Sequence, residues 1–344
     1  MLFSAFGKNP SGKELEKVQQ SPNYKDGIFH NLSHTTLMDE NASRFKVTWQ
    51  FFNNPKNTSP SGALPSIKTD LKTLGNENPV IIWFGHSSYL IHVGGKNILV
   101  DPVFSGYASP FPFFAKAFAG TGIYNADDMP SIDLLIITHD HYDHLDHETV
   151  LKLDNRIKHI CTSLGVKSHL TYWGINENKI TEFDWWDEKR IDAEIKITAA
   201  PARHFSGRTF VNFKTLWASY ILEIAGYRFY IGADSGYDNH FKKIGDKYGP
   251  FDIAMLETGQ YSEAWKSIHM LPEEAVQAAI DLKTKVMMPV HWGKFSLALH
   301  PWNEPVKRVI KKAREVGIKV TTPMIGEPVI LNNNYPSEDW WELL

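Results

Sequence analysis

The six residues His139-Asp140-His141-Tyr142-Asp143-His144 constrain the fold of this chain more than any other part of its sequence. They follow the apolar run 132–138, which has the length and composition of a buried β-strand. Imidazole and carboxylate groups are ligands that zinc and similar divalent ions accept. The alternative is a histidine-rich loop in solvent, and the regular spacing after so apolar a strand argues against it. The segment therefore predicts a metal site at the end of a strand.

The composition indicates a globular protein with no nucleic-acid partner. Of the 344 residues, 42% are hydrophobic and 22% are charged, and the net charge of −3 comes without a long basic run. The single cysteine, Cys161, excludes an internal disulfide, and its place at the end of a predicted strand favours a buried thiol. No apolar run approaches the roughly 18 residues that span a bilayer. We therefore expect a cytoplasmic protein, with peripheral contact to a membrane surface left open.

The chain divides into two parts of different character. Residues 1–75 are rich in Asn, Ser, Pro and Lys, and we expect them to form an extension packed on or draped over the rest. Residues 76–344 are expected to form one domain, because no break in composition divides them. In it, hydrophobic patterns predict strands at 80–84, 89–93, 97–100, 132–138, 157–162, 195–200, 217–224, 227–232, 252–256, 286–290 and 319–322, and helices at 147–154, 163–172, 272–283 and 304–316. This order predicts an α/β fold of two sheets with helices on their outer faces.

Three further candidate ligands follow predicted strands. His204 comes after the strand at 195–200, Asp234 after the strand at 227–232, and His291 directly after the strand at 286–290. Each alone is more often a hydrogen-bonded structural residue. Together with the histidine-rich segment they predict one site assembled from four strand ends.

Six further short blocks contain or adjoin these residues: Trp83–Ser88, Asp101–Ser105, His204–Arg208, Gly232–Tyr237, His269–Ala275 and His291–Phe295. With the segment at 139–144, they resemble the metallo-β-lactamase superfamily. Within it, the set is similar to the zinc-dependent phospholipase D that hydrolyses N-acyl phosphatidylethanolamine and to its bacterial relatives. The resemblance spans roughly residues 80–305. It implies a four-layer αββα sandwich.

The resemblance also implies a two-zinc centre, with iron or manganese as other metals that such ligands hold. One zinc would be held by His139, His141 and His204, the second by Asp143, His144 and His291, and Asp234 would bridge the two. Three protein ligands per ion leave a position for water. The reaction implied is hydrolysis by a metal-bridging hydroxide, with Asp143, Asp234 and His269 as the catalytic residues and His269 facing the substrate.

Three more residues are candidates for contact with the site. His86 would orient a metal ligand, while Arg208 and Lys294 would attract an anionic group, and a structural role is the alternative for each. Lys294 stands where the family usually has Thr, and Leu271 where it usually has a helix-capping Asp or Asn. Because of these two departures, the resemblance does not identify the substrate.

We expect a phosphodiesterase that acts on N-acyl phosphatidylethanolamine-like lipids. The alternative within the same chemistry is a lactonase or carboxylic ester hydrolase on a small, sugar-phosphate-like substrate. A non-catalytic metal-binding scaffold is disfavoured because all seven ligand positions are occupied. A diiron redox protein is disfavoured because no flavin-binding module is evident after His291.

The segment 107–124 is unusually aromatic for this family, with Tyr107, Phe111, Phe113, Phe114, Phe118 and Tyr124. It is predicted to line an acyl-chain groove or to contact a membrane surface. Core filling and a subunit interface, as in a homodimer, are the alternatives.

Overall fold

The computed structural model describes residues 3–40, 42, 43, 45, 49, 57–209 and 211–344. Within these residues the strands are β1 (Tyr24–Lys25), β2 (Ile28–Phe29), β3 (Val80–Trp83), β4 (Tyr89–Val93), β5 (Lys96–Val100), β6 (Ile132–Ile137), β7 (Ile157–Ser163), β8 (Ile180–Phe183), β9 (Glu188–Arg190), β10 (Lys196–Ala200), β11 (Ser219–Ile224), β12 (Tyr227–Ile231), β13 (Ile253–Glu257), β14 (Met287–Val290) and β15 (Pro328–Ile330). The helices are α1 (Lys13–Val18), α2 (His147–Leu153), α3 (Lys167–Tyr172), α4 (His240–Tyr248), α5 (Pro272–Asp281) and α6 (Glu304–Val316).

Two mixed sheets form the centre of the fold. One has the strand order β15-β3-β4-β5-β6-β7-β8 and the other β14-β13-β12-β11-β10-β9. Strands β5 to β8 pair in parallel, as do β12 to β14, whereas β11 is antiparallel to both β10 and β12. The carboxyl ends of β10, β12, β13 and β14 therefore lie at the same edge of their sheet.

Strand β6 shows why its sequence is apolar without alternation. Leu134 and Ile136 join the core between the two sheets, while Leu135 and Ile137 join a second core with residues of helices α2 and α3. Both faces of this parallel strand are covered, so every position except Asp133 has an apolar side chain. A third core packs α4, α5 and α6 on the six-stranded sheet. These cores separate four layers, which confirms the predicted αββα architecture.

Two differences from the sequence-based elements have clear causes. Residues 319–322 do not form a strand, because only Val320 pairs, in a single bridge to Met287. Helix α4 was missed because Gly245 in its centre lowers helix propensity. A Cβ at Gly245 would lie 1.9 Å from the main-chain oxygen of Asp281 in α5, so the close approach of the two helices requires glycine there.

The described residues of the first 75 lie against the sheets. Val18, Phe29 and Leu64 are buried members of the core between the two sheets. In the part of the chain that the structure describes, no helix has the length and apolar character needed to cross a membrane.

Candidate metal centre

The structure brings the seven predicted ligands together at neighbouring strand ends. His139 follows β6, His204 follows β10, Asp234 follows β12 and His291 follows β14 directly. The first group of converging side chains contains His139, His141, His204 and Asp234, and the second contains His86, Asp143, His144 and His291. Each group offers ligand atoms within 4.8 Å of one another.

In the first group, three imidazoles converge on one point. His141 Nδ1 lies 3.0 Å from His139 Nε2 and 3.2 Å from His204 Nε2. Asp234 Oδ2 lies 3.8 Å from the Nε2 atoms of His139 and His204. These distances place three nitrogens and a carboxylate around a space that suits one ion.

The tautomers assigned from the hydrogen bonds agree with cation binding. Thr138 Oγ1 donates to Asp101 Oδ2 at 2.6 Å and therefore accepts from His139 Nδ1, 3.0 Å away. His204 Nδ1 donates to the main-chain oxygen of Ile268 at 2.9 Å. The Nε2 atoms of both rings are thus left with lone pairs that point at a third ring nitrogen. Converging lone pairs repel unless a cation lies between them, so the residues fit a divalent ion.

In the second group, carboxylates surround His144. Its Nδ1 donates to Asp101 Oδ2 at 2.8 Å, and its Nε2 lies 3.2 Å from Asp234 Oδ2 and 3.6 Å from Asp143 Oδ2. Burial opposes the charged ring, but these carboxylates outweigh it and raise the pKa of His144 well above its ordinary value. A divalent ion at Nε2 would displace that proton and satisfy the same carboxylates.

Asp234 lies between the two groups. Its Oδ2 faces His139, His204 and His144, and its Oδ1 lies 3.0 Å from His291 Nδ1. Burial opposes its charged form, but His144 and His291 outweigh burial and hold the pKa of Asp234 well below its ordinary range. A buried, ionised carboxylate that faces both groups has the position expected of a bridging ligand.

His86 lies against the second group. Its Nε2 is 2.8 Å from Asp143 Oδ2, and its ring centroid is 4.0 Å from that of His291. His86 N donates to Trp292 O and His291 N donates to His86 O, both at 2.9 Å. These bonds hold His86 at a φ of 55°, a left-handed conformation that is strained for histidine. The structure therefore places His86 where it orients Asp143 and His291.

Arg208 and Lys294 have structural roles and do not contact the cavity where they were candidates for attracting an anionic group. Lys294 Nζ is buried and donates to the main-chain oxygens of Phe84 at 3.1 Å and Val103 at 2.7 Å. Burial lowers the pKa of Lys294 to about 8. Arg208 is also buried and donates only to main-chain oxygens. Neither side chain lines the cavity at the metal centre, so their donors hold the backbone instead of attracting an anion there.

His269 is paired with a residue that the sequence analysis missed. His269 Nδ1 donates to Glu257 Oε2 at 2.8 Å, and Glu257 Oε1 accepts from Ser235 N at 2.7 Å and Met270 N at 3.2 Å. Burial raises the pKa of Glu257 to about 7. Burial also opposes protonation of His269, but Glu257 and then Asp234 outweigh it and raise the pKa of His269 to about 9. Glu257 ends β13, so the strand-end criterion that singled out Asp234 and His291 applies to it equally.

A cavity of about 300 Å³ opens beside these groups. Its lining includes five of the predicted ligands together with His269 and Gln260. Its other walls are apolar: Leu37, Phe205, Trp265, Ile268 and Leu297. Leu37 belongs to the first 75 residues, which thus contribute to the site. Among the described residues, no lysine or arginine lines this cavity.

The aromatic segment 107–124 lies apart from this cavity, because none of its residues is in the lining. Phe118 and Tyr124 are buried in the cores, as the core-filling alternative expects. Phe113 and Phe114 are 64% and 58% exposed. Contact of the segment with a membrane surface stays a prediction.

The chain is similar in sequence to proteins from bacteria and animals. An uncharacterized protein of Mycobacterium tuberculosis (strain H37Rv) is 36% identical over 330 residues, which are 94% of this chain and 88% of that protein. The N-acyl-phosphatidylethanolamine-hydrolyzing phospholipase D 1 of Caenorhabditis elegans is 32% identical over 232 residues, which are 62% of this chain and 64% of that protein.

Fold and family comparisons agree with the geometry. Igni18, a metallo hydrolase from the archaeon Ignicoccus hospitalis, has a solved structure that matches with a TM-score of 0.59 at 22% identity. The match covers 75% of this chain and 100% of that one, and it shows a common fold. Residues 96–292 match the family described as "Beta-lactamase superfamily domain". The chain is therefore a metal-dependent hydrolase that belongs to the metallo-β-lactamase superfamily.

Proposed function

We propose that the protein is a two-zinc phosphodiesterase of phospholipase D type that acts on N-acyl phosphatidylethanolamine-like lipids. The observation that carries this proposal is the cavity, which combines the metal ligands and His269 with apolar walls and, among the described residues, no lysine or arginine. A phosphodiester brings a single negative charge, which bound metal ions neutralise. A sugar-phosphate lactone brings a separate phosphate group, for which the described lining residues include no lysine or arginine in addition to the metal ligands and His269.

The size of the cavity limits what it encloses. A volume of about 300 Å³ is at the lower end for small-molecule pockets. It accommodates the phosphodiester and the first atoms on each side, while the longer parts of a lipid would lie outside. Similarity to the nematode phospholipase D supports the same substrate class.

Each ion would be held by three side chains, and Asp234 would be shared. The first set is His139, His141 and His204, and the second is Asp143, His144 and His291. Such ions, when bound, acidify water toward neutrality and neutralise charge on phosphoryl oxygens. No serine or cysteine nucleophile is needed for that chemistry.

His269 is the proton donor in this proposal. Its Nδ1 is occupied by Glu257, so Nε2 is the nitrogen available to a substrate in the cavity that His269 lines. Glu257 raises the pKa of His269, which favours a protonated ring that can deliver its proton to the leaving oxygen.

A substrate panel with matched variants tests the proposal. The zinc-loaded protein is incubated with bis(p-nitrophenyl) phosphate, N-acyl phosphatidylethanolamine in detergent micelles, and sugar-derived lactones. His141→Ala and Asp234→Asn are compared with His159→Ala and Asp127→Asn, which change the same residue types at exposed positions. We expect phosphodiester turnover that both site variants lose and both controls keep.

Two results would contradict the proposal. Turnover of lactones without turnover of phosphodiesters would move the protein to the lactonase class. Full activity in His141→Ala and Asp234→Asn would remove the two-metal centre from the reaction.

A further inference from the structure

The segment before helix α1 lies against the outside of the loop that carries the metal ligands. We define residues 4–8 as the N-terminal strap. The main-chain oxygen of Ala5 accepts from Arg208 Nε at 3.0 Å and Nη2 at 2.7 Å. Lys8 N donates to His169 Nδ1 at 3.0 Å, and Ser4 O accepts from Trp173 Nε1 at 2.7 Å. These hydrogen bonds hold the strap through its main-chain atoms.

Arg208 connects the strap to the ligand loop. Its Nη1 donates to the main-chain oxygens of Asp140 and Leu145, both at 2.7 Å. These two oxygens bracket the ligands at positions 141, 143 and 144. The guanidinium carbon also lies 4.1 Å from the ring centroid of Tyr142. The planar guanidinium thus binds the two ligand-loop carbonyls through Nη1 and the strap carbonyl through Nε and Nη2, and so links the loop to the strap.

A second connection runs through His169. The carboxylate of Asp140 accepts from Gly207 N at 2.7 Å, Thr215 Oγ1 at 2.8 Å and His169 Nε2 at 3.1 Å. Because His169 Nε2 donates, its Nδ1 has the lone pair that accepts from Lys8 N in the strap. Asp140 and His169 are both buried, so neither group has water as a substitute partner.

We propose that the N-terminal strap, acting through Arg208 and His169, positions the ligand loop and so sets how tightly the metal centre holds its ions. Arg208, His169 and Asp140 are positioning residues, since none of them lines the cavity at the centre. Contacts that orient metal ligands change metal affinity by roughly 10- to 100-fold when they are removed. The inference concerns the metal centre of the family and does not depend on which bond the protein hydrolyses.

Substitution of Gly7 by alanine should disturb the strap specifically. It has φ 68° and ψ −157°, and a Cβ there would lie 2.3 Å from His169 Nδ1. Gly12 has φ 55° and ψ −131°, and a Cβ there would meet nothing within 4 Å. Gly7→Ala and Gly12→Ala therefore introduce similar backbone strain, but only Gly7→Ala displaces the histidine ring.

The experiment measures zinc retention instead of turnover. Both variants and the unchanged protein are loaded with zinc, and the rate of zinc loss to a chromogenic chelator is followed. We expect zinc loss about tenfold faster in Gly7→Ala, at the lower end of the range for such contacts, and unchanged within twofold in Gly12→Ala. Hydrogen exchange of the zinc-loaded proteins should rise at amides 140–145 in Gly7→Ala only.

Equal rates of zinc loss in the two variants would overturn the inference. So would a rise in hydrogen exchange across the whole chain of Gly7→Ala, because that would show general destabilisation. If Gly7→Ala does not fold, a chain that lacks residues 1–8 replaces it, with the same expected effect on zinc loss and the same criteria.

Discussion

Glu257 Oε2 and His269 Nδ1 lie 2.8 Å apart, in a buried pair beside Asp234 and His291. The second carboxylate oxygen of Glu257 is held by two main-chain N–H groups, so the acid cannot turn away from the ring. Glu257 therefore fixes which nitrogen of His269 faces the cavity. This relationship leads to the first prediction.

Glu257→Gln should lower kcat by about 10- to 100-fold for phosphodiesters with poor leaving groups, and His269→Ala should lower it by about 10²- to 10⁴-fold. Glutamine lacks the charge that favours protonated His269, and its single amide oxygen cannot replace both of the carboxylate oxygens that accept from His269 and from the two main-chain N–H groups. Esters of p-nitrophenol, which leaves without a proton, should be much less affected. The measurement is kcat and KM across leaving groups of increasing pKa.

The control for this prediction is Glu182→Gln, which changes a buried glutamate that pairs with Lys17 instead of His269. An equal loss for good and poor leaving groups in Glu257→Gln would show that Glu257 does not act through proton donation.

Metal removal should abolish hydrolysis and lower the melting temperature, because both groups of ligands would be left without a cation. The unchanged protein should contain two zinc ions per chain by atomic emission spectroscopy, and Asp234→Asn should contain fewer, because Asp234 faces both groups. Asp127→Asn serves as the control at an exposed position. Equal zinc content in Asp234→Asn and the unchanged protein, or one ion per chain in the unchanged protein at saturating zinc, would contradict the bridging role of Asp234.

Asp101→Asn should weaken zinc binding by roughly 10- to 100-fold, because outer contacts orient metal ligands. Asp101 Oδ2 accepts from His144 Nδ1 at 2.8 Å and from Thr138 Oγ1 at 2.6 Å, so one carboxylate oxygen supports two neighbouring ligand positions. Competition with a chelator of known affinity measures the effect. Asp133→Asn, which changes a carboxylate in β6 away from the centre, should leave zinc binding unchanged.

Because Lys294 is buried, we expect the free energy of unfolding to depend on pH in the alkaline range. Burial lowers the pKa of Lys294 to about 8, whereas an unfolded chain keeps a lysine near its ordinary value of about 10.4. Between these values the unfolded chain binds more protons, so the free energy of unfolding should rise as pH rises from about 8 to about 10. Relative to Lys294→Met, the unchanged protein should gain about 3 kcal/mol over that range.

Urea unfolding of both proteins at several pH values measures this gain. Lys152→Met, at an exposed position of α2, should show no such trend relative to the unchanged protein. A constant difference between the unchanged protein and Lys294→Met would show that burial does not lower this pKa.

The sequence predicted most of what depends on local pattern. Strand β6 was evident because a strand covered on both faces is apolar at nearly every position, here at all but Asp133. His204, Asp234 and His291 were evident because they follow such strands. Glu257 also lies at the end of a strand, directly after the predicted strand at 252–256. The same criterion therefore identifies it, although the sequence analysis did not include it.

What the sequence could not predict depends on distant partners. Lys294 binds the carbonyls of Val103 and Phe84, which lie 191 and 210 positions earlier in the chain. Arg208 binds the carbonyl of Ala5 across 203 positions. Nothing in the local pattern distinguishes a lysine that holds buried carbonyls from one that binds a substrate anion. Such roles depend on contacts between residues that are distant in the sequence.

The two sheets contribute ligands to the same centre: His139, His141, Asp143 and His144 follow a strand of the seven-stranded sheet, and His204, Asp234 and His291 follow strands of the six-stranded sheet. Bound ions would therefore act as a cross-link between the halves of the sandwich. Any motion that separates the sheets at this edge would have to break metal–ligand bonds first. Bound metal would thus keep the two sheets together at this edge. It would stabilise the same part of the interface between the sheets in which the substrate binds.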